Sequence, residues 1–138
     1  MRMRLLICLI VAPLTALAQE PSKPANPAAV EHGKYLVENV ALCGECHTPR
    51  DAGGNLLSNA PLGGAPVPVL PPRFANSKWA LQAPPIAGLN GYTEQQGVRL
   101  LMEGTTADGR QPRPPMPRFR MSRADAEAVV AYLKTLTN

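Results

Sequence analysis

Apolar positions fall at helical spacing in three separated stretches of this chain, with long irregular segments between them. In the first, Ala29, Gly33, Leu36, Val37 and Val40 share one face of a helix expected from Pro27 to about Asn39. Asn26 is its N-cap, and Pro27 stands at the first helical position, where the missing N–H costs nothing. Gly33 on that face predicts a close approach of another helix. In the second stretch, Val98, Leu101 and Met102 line a helix ending at Glu103. Thr93 and Gln96 open it as a capping box, and Gly104 is a suitable stop. The third is the clearest: Ala126, Val129, Val130, Leu133 and Leu136 form a stripe with Tyr132 beside it. Ser122 caps this helix, and Asp125 sits at the positive end of its dipole. From Thr48 to Tyr92 and from Thr105 to Arg120 the chain reads as Pro- and Gly-rich loop. A connection as long as the first usually has a purpose.

The N-terminus has a different pattern. Arg2 and Arg4 precede an apolar run from Leu5 to Leu14, and Ala16-Leu17-Ala18 supplies a cleavage site. The run is too short to span a bilayer as a retained helix, and a lipoprotein reading of Leu5-Leu6-Ile7-Cys8 is weak. The expected organisation is a signal peptide over 1–18, a flexible tether over 19–27 rich in Pro and Ala, and one domain over 28–138. Export to the periplasm follows as an expectation. Cleavage would remove Cys8, leaving Cys43 and Cys46, and would lower the net charge from +4 to +2. So mild a positive balance is no case for nucleic acid, although it can steer an acidic protein partner.

Those two cysteines belong to Cys43-Gly44-Glu45-Cys46-His47, the C-x-x-C-H spacing of a c-type haem attachment site. Two thiols three positions apart add to the porphyrin vinyl groups, and the adjacent imidazole reaches the iron. A thioredoxin-like redox pair belongs in a βαβ context, which nothing around Cys43 supplies. A zinc site would need about four ligands, and His32 is too distant in sequence to complete one easily. One covalent haem c through Cys43 and Cys46 is therefore expected, with His47 binding through Nε2 while its other nitrogen donates to a fixed acceptor. Three short helices and few aromatics make a thin core, which a buried porphyrin would fill. For the opposite face of the iron, Met116 sits in the stiff loop Arg113-Pro114-Pro115-Met116-Pro117. Met121 beside the Ser122 cap, Met102 on the second stripe, and His32 are the alternatives.

In these residues the chain resembles a class I monohaem cytochrome c, of the kind found with periplasmic and membrane-associated bacterial dehydrogenases. The resemblance spans roughly Ala28 to Leu136. It rests on Gly33–Tyr35, on Cys43-Gly44-Glu45-Cys46-His47-Thr48-Pro49-Arg50, on Met116-Pro117 followed by Met121-Ser122, and on Ala131-Tyr132-Leu133. It implies a mainly α, cytochrome c-like domain of three or more short helices wrapped around one covalently attached haem. It also implies iron held by His47 and Met116, and a proline carbonyl accepting from the histidine Nδ1–H. Pro84 matches that position best; Ala83 stands where the family often has Gly, and the doubled proline makes Pro85 the neighbouring alternative. Trp79 and Arg73 are candidate donors to the haem propionates, against the plainer roles of loop aromatic and solvated cation. Arg110, Arg113, Arg118 and Arg120 flank the Met116 loop and can guide an acidic partner. His/Met ligation saturates the iron and raises its potential, so the expected function is one-electron transfer between a dehydrogenase and a respiratory acceptor, with no catalytic residues. The alternatives are a cytochrome subunit of a membrane-associated dehydrogenase complex, a five-coordinate haem sensor, and a thiol oxidoreductase with free cysteines.

Overall fold

The computed structural model describes residues 26–69 and 78–137, and within them the fold is mainly α. The order is α1 (Pro27–Tyr35), a π-turn (Leu36–Val40), α2 (Gly44–His47), β1 (Ala65–Pro66), β2 (Gln82–Ala83), a 3₁₀ turn (Ala87–Leu89), α3 (Glu94–Glu103) and α4 (Arg123–Thr135). The signal peptide and nearly all of the tether lie outside the described residues.

Each long helix begins where its cap predicts. The Asn26 side chain accepts from the Ala28 N–H at 3.1 Å. Thr93 and Gln96 exchange both bonds of the capping box. Ser122 Oγ accepts from the Asp125 N–H at 3.1 Å. α3 stops at Gly104, which adopts the left-handed conformation at φ +71° that costs glycine little.

The first helix departs from the expected regular run. At Leu36 the chain widens, and the Ala41 N–H reaches back five residues to the Leu36 carbonyl at 2.7 Å. A π-turn shifts the face presented by every later residue. Val37 therefore stays buried, whereas Val40, expected on the apolar face, is 55% exposed. The turn then delivers the chain to Cys43, whose N–H donates to the Val37 carbonyl at 3.0 Å.

α4 is the hub against which α1 and α3 lie. A Cβ placed on Gly33 would stand 1.9 Å from the Ala128 carbonyl oxygen, so α1 and α4 meet backbone to backbone at the expected glycine. A second close approach was not expected: at Gly97, a Cβ would meet Val130 at 3.0 Å and Leu89 at 3.2 Å. Val37, Leu62, Ala87, Val98, Leu101, Ala126, Val129, Val130, Tyr132 and Leu133 form the core. Its largest fully buried side chains are two valines, Val37 and Val129. Such a core is thin.

The long loop is fastened to α2 rather than to a sheet. Leu62 N–H donates to Thr48 Oγ1 at 2.9 Å, Gly64 N–H to the His47 carbonyl at 2.7 Å, and Ile86 N–H to the Leu62 carbonyl at 2.9 Å. β1 and β2 pair antiparallel over two residues each, which brings Pro84 alongside α2. Among the described residues no helix is long and apolar enough to cross a membrane.

Candidate functional site

α2 is a single helical turn, and it is built by the C-x-x-C-H stretch itself. The His47 N–H donates to the Cys43 carbonyl at 2.9 Å, which sets the two cysteines three apart on one turn with His47 just after. Both cysteines are free thiols and half-buried. Burial pushes the Cys43 thiol up to about 11, so it is not a thiolate at neutral pH. Nucleophilic redox cysteines need a depressed pKa, so burial works against Cys43 as the attacking thiol of a redox pair.

His47 is almost completely buried, and its Nδ1 lies 2.8 Å from the carbonyl oxygen of Pro84. Because a carbonyl can only accept, Nδ1 carries the proton and Nε2 is left as the lone-pair nitrogen. Burial lowers the His47 pKa, and the Pro84 bond offsets this only partly, so the ring is neutral at pH 7 as a metal ligand must be. Nε2 has no hydrogen-bond partner among the described residues, yet no buried side-chain polar atom is left unsatisfied. The nitrogen therefore keeps an open face. A fixed tautomer, a free Nε2 and two adjacent thiols fit a covalently held haem.

Two residues missed from the sequence brace this turn. Thr48 is buried and holds Leu62 as described. Arg50 bonds the Glu45 carboxylate at 2.6 Å and carbonyl at 3.2 Å, and reaches the Gly54 carbonyl at 2.8 Å. A Thr and an Arg just after the motif were visible, but their partners are set by how the loop returns.

The methionines separate by environment. Met102 and Met121 are packed against the hydrophobic core, of which Ala126 is part. Met116 is half-buried in its proline loop and is not part of that core. His32 is spent elsewhere: its Nε2 lies 2.8 Å from Asp125 Oδ1, tying α1 to α4. The Met116 loop is joined to the segment that leads to Pro84. Ala80 N–H donates to the Pro114 carbonyl at 2.6 Å, and Pro84 follows four residues later. At about 3.3 Å per extended residue, the two attachment points are at most about 13 Å apart.

Trp79 has a backbone partner in its own loop. An indole has one donor, and that of Trp79 goes to the Val69 carbonyl at 2.8 Å, which makes the residue a loop fastener. Arg73 lies outside the described residues. The arginines flanking the loop are engaged as well: Arg110 pairs with Asp108 at 2.5 Å, Arg113 holds the Lys78 and Trp79 carbonyls, and Arg120 holds the Glu103 carbonyl. Arg118 lies against Gly104, its Nε 3.2 Å from where a Cβ would stand. Arg113 and Arg120 thus hold backbone, and Arg110 is paired with a carboxylate.

A small helical domain with a C-x-x-C-H turn and an oriented, neutral histidine defines a c-type haem protein. Comparison with known families agrees: the cytochrome c family model matches residues 30–137, and the chain belongs to that family. Its members carry haem c and transfer electrons, and this chain is an electron-transfer cytochrome. It is 32% identical over 110 residues to the fructose dehydrogenase cytochrome subunit of Gluconobacter japonicus, covering 75% of this chain and 21% of that protein. It is also 50% identical over 38 residues to a dihaem cytochrome c-type protein of Cereibacter sphaeroides, covering 28% of this chain and 13% of the relative. The chain thus spans about a fifth or less of the length of these relatives.

Proposed function

We propose that this chain is a periplasmic one-electron carrier holding a single haem c through Cys43 and Cys46, with His47 and Met116 as axial ligands. The observation that carries the reading is the His47 Nδ1–Pro84 bond on the C-x-x-C-H turn, which leaves Nε2 unprotonated and without a hydrogen-bond partner among the described residues. The haem, when bound, supplies reversible one-electron chemistry at iron. The residues around it hold position. Cys43 and Cys46 tether, Pro84 fixes the imidazole, and the proline loop presents the Met116 thioether with little freedom to lose. Side chains that hold the same place in both oxidation states keep reorganisation small. No general acid, base or nucleophile is needed.

Export with cleavage after Ala18 is part of the proposal, as is shuttling between a dehydrogenase and a respiratory acceptor. The likeness to a fructose dehydrogenase cytochrome subunit favours a second form of the same reading, in which this domain serves as the cytochrome component of a membrane-associated dehydrogenase. Co-purification separates the two: a subunit stays with its dehydrogenase through salt and dilution, whereas a free carrier elutes alone.

Expression in cells that mature c-type haem tests the core of the proposal. The exported protein is expected to begin at Gln19 and to keep its haem mass after denaturation. Met116→Ala should abolish the weak sulfur-to-iron charge-transfer band and lower the potential. Loss of that band in Met121→Ala instead would move the ligand. Rapid, complete carbon monoxide binding by the reduced wild-type protein at neutral pH would favour a five-coordinate sensor.

A further inference from the structure

Proline makes the Met116 loop stiff but also strips it of donors. Residues 112, 114, 115 and 117 are all proline, so within 112–117 only Arg113 and Met116 carry a backbone N–H. The Met116 N–H closes the turn on the Arg113 carbonyl at 3.2 Å. A loop built this way must be fastened from outside, by donors it does not have in its backbone.

Arg113 supplies them. Its Nε donates to the Lys78 carbonyl at 3.1 Å and its Nη2 to the Trp79 carbonyl at 2.8 Å. The next residue of that segment, Ala80, donates to the Pro114 carbonyl at 2.6 Å. Three consecutive residues, 78–80, are thereby stitched to two consecutive residues, 113–114. The stitched segment continues through β2 to Pro84, the acceptor for His47. Arg113 forms no ion pair among the described residues, and both of its side-chain hydrogen bonds go to backbone. A rigid planar fork can bridge two carbonyls in this way, whereas an ammonium acts as a single point charge.

We propose that Arg113 is the positioning residue of the sixth-ligand loop: its guanidinium clamps residues 78–79 to residues 113–116, holding the Met116 sulfur in place against competing ligands. This rests on Met116 being the axial ligand. With the clamp removed, Met116 would leave the iron more readily, and the iron would become accessible to small exogenous bases.

The test titrates the ferric holoprotein with imidazole and follows hydrogen exchange at the Ala80 amide. Arg113→Ala should bind imidazole at least about tenfold more tightly than wild type, a shift of about 1.4 kcal/mol, and should exchange Ala80 faster. Arg113→Lys should resemble Arg113→Ala more than wild type, because charge without the fork is not enough. Full recovery in Arg113→Lys would overturn the clamp in favour of a general charge effect. Should Arg113→Ala fail to fold, Arg113→Gln decides: imidazole affinity and Ala80 exchange unchanged from wild type would overturn the proposal. Met116→Ala is the reference. If wild type already binds imidazole as tightly as Met116→Ala, the ligand assignment falls, while Ala80 exchange in the Arg113 variants still reports whether the fastening exists.

Discussion

His47 shows how one carbonyl decides chemistry. With the Pro84 carbonyl accepting from the Nδ1–H, the tautomer is settled before any metal arrives, and burial keeps the ring neutral. Asp125 is the comparable case on the outer surface. The hydrogen bond from the His32 ring, and then that from Ser122, hold its carboxyl below the usual range. A carboxyl pKa lowered by folding stabilises the native state at pH values above its unfolded pKa, and that contribution is lost as pH falls through the folded value. Asp125→Asn should therefore lower the denaturant midpoint at pH 7, and the gap from wild type should close in strong acid. Both groups are well exposed, so salt should narrow it too. A gap independent of pH would mean that the tie is not ionic. The C-x-x-C-H motif of Cys43, Cys46 and His47 was legible because covalent haem attachment demands that spacing. Trp79 was not, since any indole seeks an acceptor and only the folded loop chooses Val69.

The helices were legible from their caps, because Asn26, Thr93, Gln96, Gly104 and Ser122 act on backbone groups a few residues away. The π-turn was not. It inserts one extra residue without a distinctive composition, and so it turned Val40 outward against the periodicity. Glu38, inside that turn, accepts a 2.6 Å hydrogen bond from the Tyr132 hydroxyl on α4, which fixes the turn just ahead of Cys43. Gly33, just ahead of that turn on α1, meets α4 as well. Gly33→Ala gains roughly 1 kcal/mol in helix propensity, but its methyl would sit 1.9 Å from a backbone oxygen that cannot move alone. Overpacking typically costs about 1–3 kcal/mol and occasionally more, so the net effect should be destabilising. A thermal melt should show a lower Tm; a raised Tm would mean that α1 and α4 are not in backbone contact.

At the largest scale, the described residues place three long α-helices and the short α2 turn around a core of alanines, valines, leucines and Tyr132, with two long connections carried by proline and glycine. Such a core buries little apolar area for the number of residues that must be ordered. The haem proposed above would complete it. Wild-type chain produced without haem maturation, and the Cys43→Ala/Cys46→Ala variant, should both melt at least about 10 °C below the holoprotein, the equivalent of roughly 2 kcal/mol in a domain of this size. Equal melting of all three would leave the haem as a passenger. The sequence alone pointed to the class of cofactor and the C-x-x-C-H motif, the places where the three long helices begin, and the glycine at which two of them touch. All of these depend on bonds or contacts patterned over a few residues. Tertiary structure alone decided that Pro84 rather than Pro85 meets His47, that Arg113 holds the Lys78 and Trp79 carbonyls, and that His32 turns to Asp125. Those partners stand between 34 and 93 residues apart, where loop closure, not local propensity, selects the neighbour.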